Sequence, residues 1–316
     1  MTDTFDDCWF LTGATATGKT GVALALAERL GAEIVSLDSM TVYRGMDIGT
    51  AKPTAEERAR VPHHLLDVVD PADEYSVAQY VEDAAETVRA IRARGREVLF
   101  VGGTPLYLKS VLRGLFDGPP ANWDLREEIE AELEQVGQAA LHERLTQVDP
   151  VAASAIHPHD TRRMIRALEV YRASGEPLSH QQMQFDDGRQ AEECRVFVLR
   201  RERTELHRRI EGRVEAMIDV GLVDEVRGLT ADGQRLGRKP FGRTASQAVG
   251  YREALQFLAG EIDHDQMLSQ MKVRTRRFAK RQGTWFRSLS ECRFVDVAGE
   301  LDNLAIAERI AAAGSS

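Results

Sequence analysis

The residues Gly13-Ala14-Thr15-Ala16-Thr17-Gly18-Lys19-Thr20 place two glycines with four residues between them, the second directly before a lysine and a threonine. Backbone N–H groups of such a loop, and of the helix that follows it, surround a phosphate; the lysine adds a charge and the threonine hydroxyl a magnesium ligand. The stretch reads as a diphosphate cradle, with Mg2+ as the implied cofactor and Thr20 as its ligand. A nucleotide is the usual occupant of this loop type. A second candidate is Asp38, at the end of the apolar run EIVSLD. Beside the loop, an aspartate can act as a general base toward whatever attacks the bound diphosphate; the same residue also suits a helix cap or an outer support for magnesium. Nucleotide hydrolases with this loop need another strand ending in aspartate to organise magnesium and water. The run EVLFVGG ends instead in Gly102-Gly103-Thr104.

These groups meet only if strands deliver them to one edge of a sheet. The first hundred or so residues alternate short apolar runs with amphipathic segments: CWFLT, GVALALAERL, AEIVSLD, a helical pattern from Ser76 to Arg94, then EVLFVGG. Strand and helix alternating in this way predict a parallel sheet covered on both faces, with the loop between a strand at Cys8 to Leu11 and a helix from Gly18. Ligands of such sheets bind at the carboxyl ends of the strands, where Asp38 would also lie.

After Gly114 the texture changes. Pro119-Pro120 interrupts the pattern, Asp124 to Gln147 is charged and helix-periodic with Asp124 as a candidate N-cap, and DTRRMIRALEVYRASG continues helical up to Gly175. A strand pattern returns at CRVFVL, Cys194 to Leu199. The expected fold class is α/β, a phosphate-loop (P-loop NTPase-like) parallel sheet core formed by 1–114 and 194–316, with a helical insertion at 115–193.

At 316 residues and 43% hydrophobic composition the chain can bury a sizeable core. Its apolar runs are strand-sized, far below the roughly 20 residues of a membrane helix. The acidic amino-terminal MTDTFDDCWF does not resemble a secretory signal. Three scattered cysteines offer neither a disulfide framework nor a zinc pair, and the pairs His63-His64 and His157-x-His159 lack partners at zinc-site spacing. A cytoplasmic protein is expected. The net charge of −9 opposes a surface coated with nucleic acid, yet Lys272 to Arg287 holds seven basic residues and no acidic one, and Arg200 to Arg209 and Arg235 to Arg243 are also basic. An acidic chain with basic islands fits a selective polyanion site. On a helix Arg274, Arg277 and Arg281 share a face, with Phe278, Trp285 and Phe286 interleaved, which suits RNA phosphates and stacking as well as ordinary core packing.

The ordered set GATATGKT, DSMTVYRGMDIGTAKP, HHLLDV, VGGTPLYLKSVLRGL, DTRRMIRALEVY, TASQAVGYRE and FAKRQGTWFR closely resembles the tRNA dimethylallyltransferases, or tRNA isopentenyltransferases, from about Phe10 to Arg287. The resemblance implies transfer of a dimethylallyl group from dimethylallyl diphosphate to N6 of the adenosine immediately 3′ of a tRNA anticodon. Diphosphate would then occupy the loop, and donor and flipped-out adenine would enter a channel from opposite ends. It implies Asp38 as general base, Lys19 and Thr20 on diphosphate and magnesium, and Arg227 on the leaving group. Contacts to the tRNA anticodon stem-loop are implied for Asp38, Ser39, Met40, Thr41, Thr104, Arg126, Arg162, Arg163, Arg166, Gln247, Gly250, Arg252, Arg277, Lys280 and Arg281. A monomer is expected, because one chain would contain the whole channel.

Three positions depart from the family pattern. Ala14 stands where proline is usual and Pro105 where glycine is common. Thr41 replaces a glutamine whose amide helps recognise the target adenine, a bidentate contact threonine cannot make. Two other readings share the loop. A transferase acting on free adenine nucleotides would have little use for the insertion and the basic carboxyl-terminal helix, and a small-molecule kinase would require ATP and no tRNA.

Overall fold

The computed structural model describes residues 4–114, 118–119, 121–181 and 188–315. The insertion start expected at Leu115, and Pro120, fall outside them. In chain order the elements are β1 (Trp9–Gly13), α1 (Lys19–Leu30), β2 (Ala32–Ser36), α2 (Ala55–Arg60), β3 (His63–His64), α3 (Val77–Ala93), β4 (Glu97–Gly102), α4 (Pro105–Arg113), α5 (Trp123–Val148), α6 (Pro150–Ala155), α7 (Thr161–Ser174), α8 (Leu178–Gln181), β5 (Val196–Arg200), α9 (Arg203–Val220), α10 (Leu222–Arg235), α11 (Tyr251–Leu258), α12 (His264–Phe286), β6 (Cys292–Asp296) and α13 (Asn303–Ser315). They divide into two compact units, Met1–Leu112 with Gly188–Ser316, and Arg113–Asp187.

The first unit is built on a six-stranded sheet in the order β3-β2-β4-β1-β5-β6, with every pairing parallel. β1, β2 and most of β4 and β5 are buried runs, as expected of strands covered on both faces. One face carries α1 and α13: Val22, Leu26, Ile306 and Ile310 pack on Trp9, Leu11, Leu99 and Phe197 in a single apolar cluster. Each such side chain withdrawn from water contributes about 1.5–3 kcal/mol. The helix read from Ser76 to Arg94 is α3, started by a Ser76/Gln79 capping box and burying Tyr80, Val81, Ala84, Val88 and Ile91 at helical spacing. Tyr80 donates to Ser36 O at 2.9 Å, which docks the helix on the end of β2.

The chain rejoins the sheet unit at Gly188, ahead of the strand, because Arg293 of β6 donates to Ala191 O and Glu192 O at 2.7 Å each and ties this lead-in to the sheet. The second unit is wholly helical. Ile129, Leu141, Leu145, Met164, Ile165 and Leu168 of α5 and α7 form its core. Helix α5 bends at Gly137, whose φ of 80° is left-handed. Its N-cap is Asn122, which accepts from Leu125 N at 3.1 Å, so Asp124, expected as the cap, lies within the first turn and instead complements the helix dipole there. Gly175 ends α7 in the left-handed conformation, as expected. Among the described residues no helix is long and apolar enough to cross a membrane. Cys8, Cys194 and Cys292 are buried thiols, none of them in a disulfide.

Candidate active site

Strand β1 ends in Gly13 because no side chain fits there: with φ at 142°, a Cβ would sit 2.5 Å from Leu199 O of β5. The chain then passes through Ala16 and Gly18 at φ 64° and 100°, left-handed positions that turn successive N–H groups toward a common centre. Thr17 Oγ1 closes the turn on Ala14 O at 2.9 Å. Gly18 caps α1 without any side-chain hydrogen bond, which leaves the helix N-terminus open to an anion. Lys19 Nζ bridges Gly13 O and Ala14 O at 2.9 and 2.8 Å. Burial, with Arg213 adding to it, lowers the Lys19 ammonium to about 8.

Asp38 leaves the adjoining strand end. Leu37 N donates to Val101 O at 2.8 Å and Leu37 O accepts from Thr104 N at 3.1 Å, so β2 and β4 exit side by side. Gly102 allows this approach, since a Cβ there would lie 2.1 Å from Leu37 O. Met40 N donates to Asp38 Oδ1 at 2.9 Å and Ser39 N to Thr104 Oγ1 at 3.0 Å, which fixes the carboxyl and the turn after it. Enclosure by protein raises the Asp38 carboxyl above its ordinary value, against the opposing pull of the Met40 N–H, Lys19 and Arg213. A carboxylate held partly proton-hungry beside two cations is suited to take a proton.

Helix α9 supplies cations that the motif does not contain. Arg201, at its entrance, donates through Nε to Thr17 O and through Nη1 to Gly299 O, each at 2.9 Å, and pairs with Glu205. Arg209 Nε donates to Ala16 O at 2.9 Å. Arg213, one turn further on, shares an electrostatic field with Asp38 and Lys19; burial lowers its guanidinium while Asp38 raises it. From the other side Gln282 of α12 accepts from Thr15 N at 2.9 Å and donates to Gly103 O at 2.6 Å, binding the loop to the end of β4. The basic island Arg200 to Arg209 was the available signal for Arg201 and Arg209. Arg213 lies just beyond it, and Gln282 carried no signal of its own within the basic α12 segment.

The structure places Arg227 elsewhere from this set: on α10 it pairs with Asp224 and its side chain is 58% exposed. Arg213 is the arginine brought to Lys19 and Asp38. Thr41 is buried, its hydroxyl 2.8 Å from Ser36 Oγ, so it presents nothing resembling a glutamine amide. Gln247 and Arg252 are exposed and joined at 3.2 Å, while Gly250, at φ 95°, gives its N–H to Glu253. On α12 the basic residues divide. Lys272 and Arg276 pair with Glu215 and Glu211, and Arg274 with buried Glu253, whereas Arg277, Lys280 and Arg281 are exposed. In the helical unit Arg126 and Arg166 both bond the buried Glu169 at 2.9 Å, Arg126 lying 4.7 Å from the Trp123 ring centre; Arg162 and Arg163 are exposed. No group of three His, Cys, Asp or Glu suited to a metal occurs among the described residues.

The family model described as IPP transferase matches residues 41–289. A tRNA dimethylallyltransferase of Rhodopirellula baltica is 52% identical over 297 residues, 92% of this chain and 87% of the relative. One from Geobacter metallireducens is 46% identical, with 92% of this chain and 93% of the relative covered. Among solved structures, a full-length tRNA isopentenylpyrophosphate transferase of Bacillus halodurans is 38% identical with a TM-score of 0.68, covering 98% and 97% of the two chains. A eukaryotic dimethylallyltransferase acting on tRNA is 26% identical at a TM-score of 0.70, covering 92% of this chain and 73% of that one. With its phosphate loop, its aspartate-bearing strand end and these relatives along nearly its whole length, the chain belongs to the tRNA dimethylallyltransferase family.

Proposed function

We propose that this protein transfers the dimethylallyl group of dimethylallyl diphosphate to N6 of the adenosine immediately 3′ of a tRNA anticodon. The observation that carries the reading is the convergence of Asp38, Lys19 and Arg213 at the carboxyl edge of the sheet. The loop amides, Lys19 and Arg213 receive the donor's diphosphate. N6 attacks C1 of the dimethylallyl group, the C1–O bond to diphosphate breaks with both electrons, and Asp38 takes the N6 proton. An exocyclic amine is a weak nucleophile, so proton removal and charge stabilisation on the departing diphosphate are the two places where side chains help. The adenine must leave the anticodon stack to reach Asp38.

Mg2+ fits the exposed Thr20 hydroxyl, beside the open end of α1, because magnesium keeps most of its waters and needs few protein ligands next to a bound diphosphate. When bound it would neutralise diphosphate charge. The exposed row Arg277, Lys280 and Arg281 supports a polyanionic acceptor over a free nucleotide. We infer a cytoplasmic monomer, since one chain carries loop, base and arginines, and its three cysteines are thiols outside any disulfide.

The test supplies dimethylallyl diphosphate and magnesium with unmodified tRNA in one reaction and AMP or ATP in another, then reads nuclease digests by mass spectrometry. Dimethylallyladenosine from tRNA alone is expected. Product from the nucleotide alone would assign a small acceptor, and none in either reaction would overturn prenyl transfer.

A further inference from the structure

The segment from Ser39 to Lys52 runs on directly from the base, and it is held as a strap. Its inner part is zipped to the chain after β3: Asp67 N donates to Thr41 O at 3.2 Å, Val68 N and Val69 N to Val42 O at 2.7 and 3.0 Å, and Arg44 N to Val69 O at 2.8 Å. Its tip is gripped from α10, where Glu225 Oε2 accepts from Asp47 N at 3.0 Å and Ile48 N at 2.8 Å while Tyr251 donates to the other oxygen. Three non-glycine residues, Ala51, Leu65 and Asp67, take left-handed φ angles of 50°, 57° and 56° around it. Such angles persist only where the surroundings over-determine them.

Lys52 does that over-determining. Its side chain is 1% exposed, and its three ammonium hydrogens have three acceptors: Tyr43 O at 2.5 Å, Asp47 Oδ1 at 2.7 Å and Asp67 Oδ1 at 2.6 Å. One buried cation therefore joins the middle of the strap, its tip and the partner segment. Arg58 completes the node, donating to Asp67 Oδ2 and Pro53 O at 3.0 Å each.

We propose that Lys52 is a positioning residue for the acceptor: through Tyr43, Asp47 and Asp67 it locks the strap that continues from Asp38, so that the wall meeting the flipped adenosine is formed before tRNA arrives. The inference rests on the prenyl-transfer reading above. A rigid wall puts N6 in line with Asp38 and the donor, and loosening it costs acceptor alignment while the phosphate loop, held by Gln282 and α9, keeps its grip on diphosphate.

Lys52→Met and Asp67→Asn test it, the second because Asp67 is one-third exposed and its replacement keeps the fold if Lys52→Met does not. In folded variants kcat/KM for tRNA should fall by roughly tenfold or more, with diphosphate affinity within about twofold of wild type. Hydrogen exchange at Met40 to Ile48 should quicken, with the Gly13 to Thr20 amides unchanged. Wild-type acceptor kinetics in a folded variant, or equal losses for tRNA and diphosphate, would overturn the proposal. Inactive wild-type enzyme would instead sink the functional reading. The exchange measurement would still decide the clamp, and strap amides unmoved in Asp67→Asn would refute it.

Discussion

Arginine serves two purposes in this molecule. In the helical unit Arg126 and Arg166 converge on one buried carboxylate, Glu169, whose oxygens also receive the Asn122 N–H at 2.7 Å. Those partners hold Glu169 below the usual carboxylate range, against the burial that would raise it. Around the phosphate loop the pattern reverses: among the described residues no carboxylate is hydrogen-bonded to Lys19, Arg209 or Arg213, and Lys19 and Arg209 rest on backbone carbonyls. Charge neutralised inside the protein stabilises the fold. Charge left with neutral partners keeps its attraction for a ligand.

The largest effect should come from the carboxylate that faces these cations without bonding them. Asp38→Asn is expected to lower kcat about 10²–10⁴-fold, the range for a lost general base, with tRNA affinity nearly unchanged. Single-turnover rates with pre-bound tRNA measure it, and turnover near wild type would remove Asp38 from its role.

Arg213 against Arg227 comes next. Arg213→Gln should cost about 10²-fold or more in kcat, as a charge aimed at the leaving group is lost, whereas Arg227→Gln, replacing a half-exposed partner of Asp224, should stay within about twofold. Since Arg213 favours the ionised form of Asp38, its loss should also shift the acid limb of the rate profile to higher pH. A larger effect at Arg227 would reassign the leaving-group contact.

This pair also marks how far the sequence could be read. The loop, its strand and α1 are contiguous, so spacing alone placed Gly13, Lys19 and Thr20, and the run ending at Asp38 placed the second strand end. Arg213 reaches the site only because α9 packs across the loop, and both it and Arg227 belong to charged helices whose spacing looks alike. The seven cations of the Lys272 to Arg287 stretch looked equivalent in sequence as well. Glu211, Glu215 and Glu253, which neutralise Lys272, Arg274 and Arg276, come from other helices, so no local pattern separates these three from Arg277, Lys280 and Arg281.

A smaller effect should separate stability from binding. Arg126→Met removes a charged hydrogen bond from fully buried Glu169 and should cost about 2 kcal/mol of stability. Neutralising Arg277 and Arg281 together should leave the melting temperature in place. It should weaken tRNA binding and reduce the slope of log K against log salt by about 1.5, since each phosphate that the protein neutralises adds roughly 0.7–0.9 to that slope. Thermal melts and salt titrations of the two variants should thus give opposite results. An unchanged slope would mean that this face of α12 does not meet RNA.

The finest test concerns the loop lysine. With an ammonium lowered to about 8, Lys19 is only partly charged in the empty site at that pH, because burial and Arg213 disfavour the proton and no hydrogen-bonded carboxylate restores it. Diphosphate supplies the missing countercharge, so binding should draw in about half a proton at pH 8 and far less at pH 6, where the lysine is already protonated. Calorimetry in buffers of different ionisation enthalpy reads the number directly. Lys52, whose countercharges are built in as Asp47 and Asp67, is the internal contrast: its ammonium is matched within the fold. If binding takes up no proton at pH 8, Lys19 is fully charged before the ligand arrives, and the distinction between reserved and neutralised charge fails at the residue where it matters most.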